Sequence, residues 1–395
     1  MKIVKRALTF PKEFTKLPKP IKIISLVSLF YYFGWGIASP FLPIYFKKIL
    51  GTYTGVGIVI GLLPFLTIIW TLIIGPFIDK FSKKKLISFA LLLYLPLSYF
   101  LLSLKTLFHF FLFRIYHSLA ATTFWTTTEA SIREHSPKKK TAKSIALYDV
   151  SYTIPLILGP IIGALLIVKL GFNIFYSVSI FAFLALFPLS FLRREKKKKY
   201  KLRLGIFKEF KDFFSNKQLV KFSVFNFFII FCLSFVNMLL PLFLLNLGAS
   251  YLQIGIIYAL FNLPVLSELY FSILADKKNK KSLLFIGLIF SSLFFLILFF
   301  VKRTVSLFAS SFLLSISFAI LRPALAGHLT SLMKKEIVGE LTAVTRSLWG
   351  LSEALGPIIA GLISDFFGLR YTFLLAFFIF LILSFILQRM RFREI

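Results

Sequence analysis

The sequence predicts an all-α polytopic membrane protein: twelve transmembrane helices arranged as two pseudo-symmetric six-helix bundles. Three observations predict it: an excess of apolar residues in long runs, a lopsided distribution of positive charge, and an internal repeat. The chain has 395 residues, 58% apolar and 18% aromatic. A soluble domain is about 45–50% apolar, so the excess points to lipid. A membrane helix needs roughly 20 apolar residues to cross about 30 Å of hydrocarbon. Stretches of that kind start near Ile21, Val56, Leu86, Leu107, Thr141 and Phe172, and again near Val220, Gln253, Leu283, Val305, Val338 and Tyr371.

The net charge is +32. With the amino terminus inside, the cytoplasmic loops and termini hold 37 of the 47 Lys and Arg. That is the positive-inside bias, so both termini are expected to be cytoplasmic in a multi-pass protein of the cell membrane. The same distribution argues against nucleic acid as a partner and for anionic membrane lipids. Cys232 is the only cysteine, so no internal disulfide is possible. The first span is too long for a cleavable signal and lacks a small-residue cleavage site, so it is expected to be retained.

These signals divide the chain into a cytoplasmic segment (1–20), a six-helix bundle (21–192), a basic linker (193–218), a second bundle (219–388) and a short tail (389–395). The linker carries RREKKKKYKLR, then Ile206, Phe207, Phe210, Phe213 and Phe214 at near-helical spacing. That stripe predicts an amphipathic helix on the membrane surface.

The two bundles match in register. LPIYF at Leu42 pairs with LPLFL at Leu240, and Gly57 with Gly255, both at an offset of 198. Asp79 pairs with Asp276, LGPII at Leu158 with LGPII at Leu355, and Gly171 with Gly368, all at 197. Repeated halves are typical of secondary transporters, whose substrate site lies at the repeat interface near mid-membrane. No G-x4-G-K-[ST] motif is present, so ATP is not the expected energy source. No H-E-x-x-H or G-x-S-x-G motif suggests an enzyme, and the histidines have no metal-ligand spacing; no cofactor or metal is expected.

After the second span the chain reads Gly75-Pro-Phe-Ile-Asp79-Lys80-Phe-Ser82-Lys83-Lys84. This resembles the G-x-x-x-D-R-x-G-R-R signature of the major facilitator superfamily, with Ser82 in place of its second Gly. A degenerate copy follows the eighth span, from Ser272 through Asp276 to Lys281. Gly75 is suited to a close helix approach. Asp79 is placed to face the positive amino end of a helix. The resemblance implies a cytoplasmic latch in which Asp79 reaches the start of the eleventh span near Arg346, and Asp276 the start of the fifth near Asp149. Glu129 and Glu134 are candidate partners for Lys80, Lys83 and Lys84. A plain topology signal explains the lysines but not Asp79.

Three further stretches resemble the twelve-span drug:proton antiporter branch. The first is Gly34-x5-Pro40-Phe41-Leu42-Pro43. The second is Arg114-x-x-His117-Ser118-x-Ala120-Ala121, where His117 stands for Gln and Ser118 for Gly. The third is Gly159-Pro160-x-x-Gly163-Ala164, where Ala146, Pro155 and Ala164 occupy glycine positions of the motif. Pro40, Pro43, Pro160 and Pro357, with Gly159 and Gly356, are expected to kink their helices. Those kinks are either hinges or packing features alone.

A charge near the bilayer centre costs roughly 2.5–3.5 kcal/mol on insertion scales, so intramembrane charges are functional candidates. Arg114, Glu268, Arg322 and Glu353 fall within spans, with Asp149 and Arg346 nearer the span ends. The resemblance puts all of them on cavity-lining helices. Glu353 is the lead candidate for a protonatable coupling residue and Glu268 the second; Arg114 is suited to a proton-linked network or an anionic substrate. A purely structural Glu–Arg pair is the competing reading. His117 is either cavity-facing or simply packed. Trp35, Tyr31, Trp125, Tyr152 and Trp349 are candidate stacking surfaces for a substrate, and Asn237 and Asn262 candidate hydrogen-bonding groups. The expected function is alternating-access secondary transport, with proton-coupled export of a small lipophilic molecule as the lead. Uptake or facilitated diffusion of a sugar or organic anion is the alternative, and a membrane enzyme the distant third. The expected partners are substrate, protons and lipid, and the expected state is a monomer.

Overall fold

The computed structural model describes residues 17–137, 141–193, 206–263, 280–333 and 338–390. All regular structure among them is helical. The helices are α1 (Lys19–Ala38), α2 (Leu42–Leu50), α3 (Tyr53–Lys80), α4 (Lys83–Tyr94), α5 (Leu97–Leu102), α6 (Leu107–His135), α7 (Thr141–Leu170) and α8 (Tyr176–Ser190). Then follow α9 (Ile206–Ser215), α10 (Lys217–Asn246), α11 (Tyr251–Asn262), α12 (Lys280–Phe300), α13 (Val305–Ser331), α14 (Val338–Phe367) and α15 (Leu369–Arg389). The twelve starts expected from hydropathy fall within a turn or so of helix starts.

Among the described residues, nine helical stretches are long and apolar enough to cross a membrane. One of them, Tyr148–Ser190, takes in α7 from Tyr148 on and all of α8. Helix α6 has the length, at 29 residues, but its interior is rich in Ser and Thr. Several of those hydroxyls are satisfied within the helix: Thr123 donates to the Leu119 carbonyl at 2.7 Å and Thr128 to that of Phe124 at 2.8 Å. Such internal bonds let the polar α6 sit inside an apolar bundle. Helix α11 runs to the edge of the described residues.

The chain forms two compact units, residues 1–42 with 66–202, and residues 43–65 with 203–395. Residues 43–65, which lead into the middle of the second span, cluster with the second unit. Backbone contact explains it. A Cβ on Gly57 would collide with the Pro357 carbonyl, and one on Gly61 with that of Ala354. Only glycine lets α3 lie this close to α14.

In the first unit, α1 packs on α7 and α8. A Cβ on Gly36 or Gly163 would run into the carbonyls of Pro155 and Ile37, and one on Gly159 would sit 2.5 Å from the Gly36 backbone. In the second unit, α10 packs on α14 and α12 on both α13 and α15. The amphipathic α9 lies against α10 and α14, with Phe213 buried and Phe214 exposed. The basic run just before it, residues 194–205, lies outside the described residues.

The repeat extends to backbone geometry. The four positive-φ glycines among the described residues are Gly51, Gly171, Gly248 and Gly368. They form two pairs, 51/248 and 171/368, each separated by 197 positions, and each turn needs the left-handed backbone that glycine adopts freely. The helix caps repeat too. The Thr52 hydroxyl accepts the Gly55 N–H at 3.1 Å, and the Ser250 hydroxyl that of Gln253 at 3.3 Å. Lys84 Nζ donates to the Ser190 carbonyl at the end of α8, at 2.6 Å. Its counterpart, Lys281, donates to the Gln388 and Met390 carbonyls at the end of α15, at 2.8 and 2.9 Å. A cation there answers the orphan carbonyls and the negative end of the helix dipole.

Pro40 lies in a short 3-10 turn, Ser39–Phe41, that separates α1 from α2. Pro160 lies within α7 and Pro357 within α14. Gly75 departs from expectation. No described atom comes within 4 Å of a Cβ placed on it, so it is not a close-approach point among the described residues.

Candidate functional site

In the first unit, helical spacing brings Ser28, Tyr31 and Trp35 of α1 to one face, and Arg114, His117 and Phe124 of α6 towards it. Arg114 is 4% exposed and His117 3% exposed. Arg114 Nη1 lies 3.1 Å from His117 Nδ1. A guanidinium only donates, so Nδ1 accepts and the imidazole carries its proton on Nε2.

Aromatic rings enclose this pair. Trp35 stacks on the His117 ring at 4.6 Å and 10°. Tyr94 from α4 meets His117 edge-on at 5.9 Å, and its hydroxyl lies 2.8 Å from that of Tyr31. Tyr31 in turn stacks on Phe124 at 3.9 Å. The ring of Phe113 lies 5.7 Å from the Arg114 guanidinium carbon. Nearby, Trp70 Nε1 donates to Ser118 Oγ at 3.0 Å. A second polar thread runs from Ser28 Oγ to the Tyr148 hydroxyl at 3.2 Å. Tyr152 packs beside Tyr32 at 5.6 Å, and Trp125 is 37% exposed. The cluster thus combines a fixed positive charge with planar apolar faces, a combination suited to an aromatic or anionic guest. His117 is packed within it.

At the start of α4, Lys83 Nζ forms an ion pair with Glu134 of α6 at 2.6 Å. Glu129 pairs with Arg133, one turn along its own helix, at 2.8 Å. Lys80 is exposed, 5.8 Å from the Phe81 ring centroid. The Asp79 side chain and residues 264–279, with Glu268 and Asp276, lie outside the described residues. Asp149 is half-buried in the first unit. Arg346 belongs to the second.

In the second unit, Glu353 and Arg346 are both exposed on α14, two turns apart. Arg322 of α13, also exposed, interacts electrostatically with Glu353. Asn237 is exposed on α10, and its carbonyl accepts from the Tyr258 hydroxyl at 3.4 Å. The Asn262 amide donates back to the Tyr258 carbonyl at 2.8 Å, so that donor is engaged within α11. Trp349 is half-buried. Gly356 sits against α10, where a Cβ would overlap Ser234 Oγ.

Sequence reasoning missed three features. Tyr94 and Tyr148 anchor the first-unit polar contacts, yet nothing in the sequence separates them from the other tyrosines. The third is Asp365 near the end of α14. Its carboxylate accepts the backbone N–H groups of Tyr53 and Thr54, at 2.9 and 2.7 Å, at the start of α3. Its sequence signal was available, as an isolated acid at the far end of a span.

The sequence profile described as Major Facilitator Superfamily matches residues 24–265 and 223–394. An uncharacterized MFS-type transporter of Methanocaldococcus jannaschii is 27% identical over 370 residues, covering 88% of each chain. Multidrug resistance protein 2 of Bacillus subtilis is 24% identical over 384 residues, covering 92% of this chain and 93% of its own. Among solved structures, the nucleoside transporter NupG superposes with a TM-score of 0.81 at 17% identity, over 95% of this chain and 100% of the other. Profile, relatives and fold agree, and the chain belongs to the Major Facilitator Superfamily, a family of membrane transporters.

Proposed function

We propose that the chain is a secondary active transporter of the cell membrane that exports a small lipophilic compound in exchange for protons, by alternating access. The observation that carries the coupling is Glu353. It is a carboxyl group in the middle of a span, solvent-accessible on the surface of α14 and close enough to Arg322 to feel its charge. A carboxyl group in that setting can take a proton from one side and release it to the other, with Arg322 as its counter-charge in between. The resemblance to a multi-drug resistance efflux pump homolog of Lactococcus lactis, 24% identical over 358 residues, supports export as the direction. A proton crossing 100 mV supplies about 2.3 kcal/mol, enough for roughly fiftyfold accumulation. The aromatic cluster around Trp35 and Tyr31 supplies flat apolar faces for such a compound.

One observation favours a second reading. The buried Arg114 guanidinium suits an organic anion, moved by uptake or facilitated diffusion. Both readings meet one experiment, a proteoliposome screen with an internal pH reporter. Proton movement tied to a lipophilic compound supports exchange; flux of an anion without it supports the second reading. Within the first reading, Glu353→Gln should reduce proton-driven flux at least about tenfold while leaving substrate exchange in place. Proton-driven flux at the parental rate would remove Glu353 from the role.

A further inference from the structure

With the amino terminus inside, fourteen of the chain's 15 acidic residues fall within spans or on the cytoplasmic side, and Asp365 alone stands at an external end. The structure gives this acid a specific task. The first N–H groups of a helix have no partner within it. At the start of α3, Asp365 takes two of them, from Tyr53 and Thr54, and the Thr52 hydroxyl takes that of Gly55. A carboxylate there also meets the positive end of the α3 dipole.

Everything around the contact is built for close approach. A Cβ on Gly361 would collide with the Tyr53 carbonyl, so α14 and the start of α3 touch backbone to backbone. Gly57 and Gly61 continue that contact one and two turns further along α3. Tyr53 is held from two other sides. Asn246 at the end of α10 donates to its hydroxyl at 3.1 Å, and Lys47 Nζ lies 3.8 Å from its ring centroid. Yet the rest of α3, from residue 66 on, clusters with the first unit. One continuous helix is therefore shared by both units, and its first three turns are fastened to the second.

We propose that Asp365 is the catch of an external clasp, which holds the start of α3 against α14 and must let go for the external side to open. The glycine contacts supply the fit. They are short-range and lapse as soon as the backbones part. The carboxylate supplies the directional hold, because charge-assisted hydrogen bonds are about twice as strong as neutral ones. Losing it should favour the externally open state without touching substrate or proton.

The test reads accessibility, so it needs no transported compound and is independent of the export reading. Val56 lies on α3 beside the clasp and is fully buried. In a Cys232→Ala, Val56→Cys background in intact cells, a membrane-impermeant maleimide applied outside should react slowly. Asp365→Ala should raise the rate about three- to tenfold, the effect of losing charged hydrogen bonds partly screened by solvent. Asp365→Asn keeps one acceptor oxygen but no charge, and should give a smaller rise. Parental rates in both variants overturn the clasp. If Asp365→Ala fails to reach the membrane, the near-isosteric Asp365→Asn decides alone: a faster rate supports the clasp and an unchanged rate overturns it.

Discussion

Arg114 concentrates the residue-scale question, because a buried guanidinium has to be held by something. His117 Nδ1 accepts from it, and Trp35, Tyr94 and Phe113 pack around the pair. The sequence singled out Arg114, His117, Trp35 and Tyr31 because charged and aromatic residues stand out on an apolar span. It did not reach Tyr94 or Tyr148, since a chain with 15 tyrosines and 52 phenylalanines offers no contrast by which to choose one. Nor could it decide whether His117 was packed, because that depends on α1 and α4 arriving from distant positions in the chain. The planar guanidinium makes a specific prediction. Lysine carries the same charge but lacks the rigid fork of donors. Arg114→Lys should therefore lower the transport rate in proteoliposomes at least about tenfold, with an unchanged size-exclusion profile in detergent. Retention of more than half the rate would mean that charge alone is used there.

Helix packing raises a different problem, in which the glycines matter more than the prolines. Hydropathy placed the helix starts well, because crossing lipid sets a minimum length of apolar chain that can be counted. It could not tell which glycines touch another backbone. Gly75 was singled out from its place in the signature, yet no described atom lies near its Cβ position. Gly36, unremarkable in sequence, lies directly against Pro155. The spacing Gly57-x3-Gly61 was a usable signal, as small residues four apart form one flat strip on a helix. The two classes should respond oppositely. Gly36→Leu forces side-chain atoms into the α1–α7 contact and should cost about 1–3 kcal/mol, seen as a lower detergent melting temperature. Gly75→Ala adds a methyl that meets no described atom and should leave melting unchanged or slightly raised, since alanine favours helix by up to about 1 kcal/mol. A melting loss at Gly75 equal to that at Gly36 would show that the contact pattern does not set stability.

At the scale of the whole molecule, scaffold and chemistry follow different rules. The scaffold repeats: the paired left-handed glycines, the paired caps and the lysines on the ends of α8 and α15 recur half a chain apart. The candidate chemistry does not, for Ser311 stands where Arg114 would recur, and Leu156 where Glu353 would. A duplicated framework can keep its turns and caps under one constraint while single sites diverge, which explains why the fold was legible in the sequence and the site only in part. The assignment of residues 43–65 to the second unit was not legible in hydropathy, on which a backbone contact between distant segments leaves no mark; the Gly57-x3-Gly61 spacing marks a contact face but not its partner. Orientation rests on a different property, the placement of 37 of 47 basic residues on one side, and it can be tested alone. Basic loops are retained inside during insertion, so the stretch around α9 should face the cytoplasm and the turn between α2 and α3 the outside. In the Cys232→Ala background, Ser215→Cys should react with an impermeant maleimide only in inverted vesicles. Lys48→Cys, exposed beside that turn, should react in intact cells. The opposite pattern at both positions would reverse the orientation and put Asp365 on the inner side, leaving its bonds to α3 intact but making the clasp an internal one.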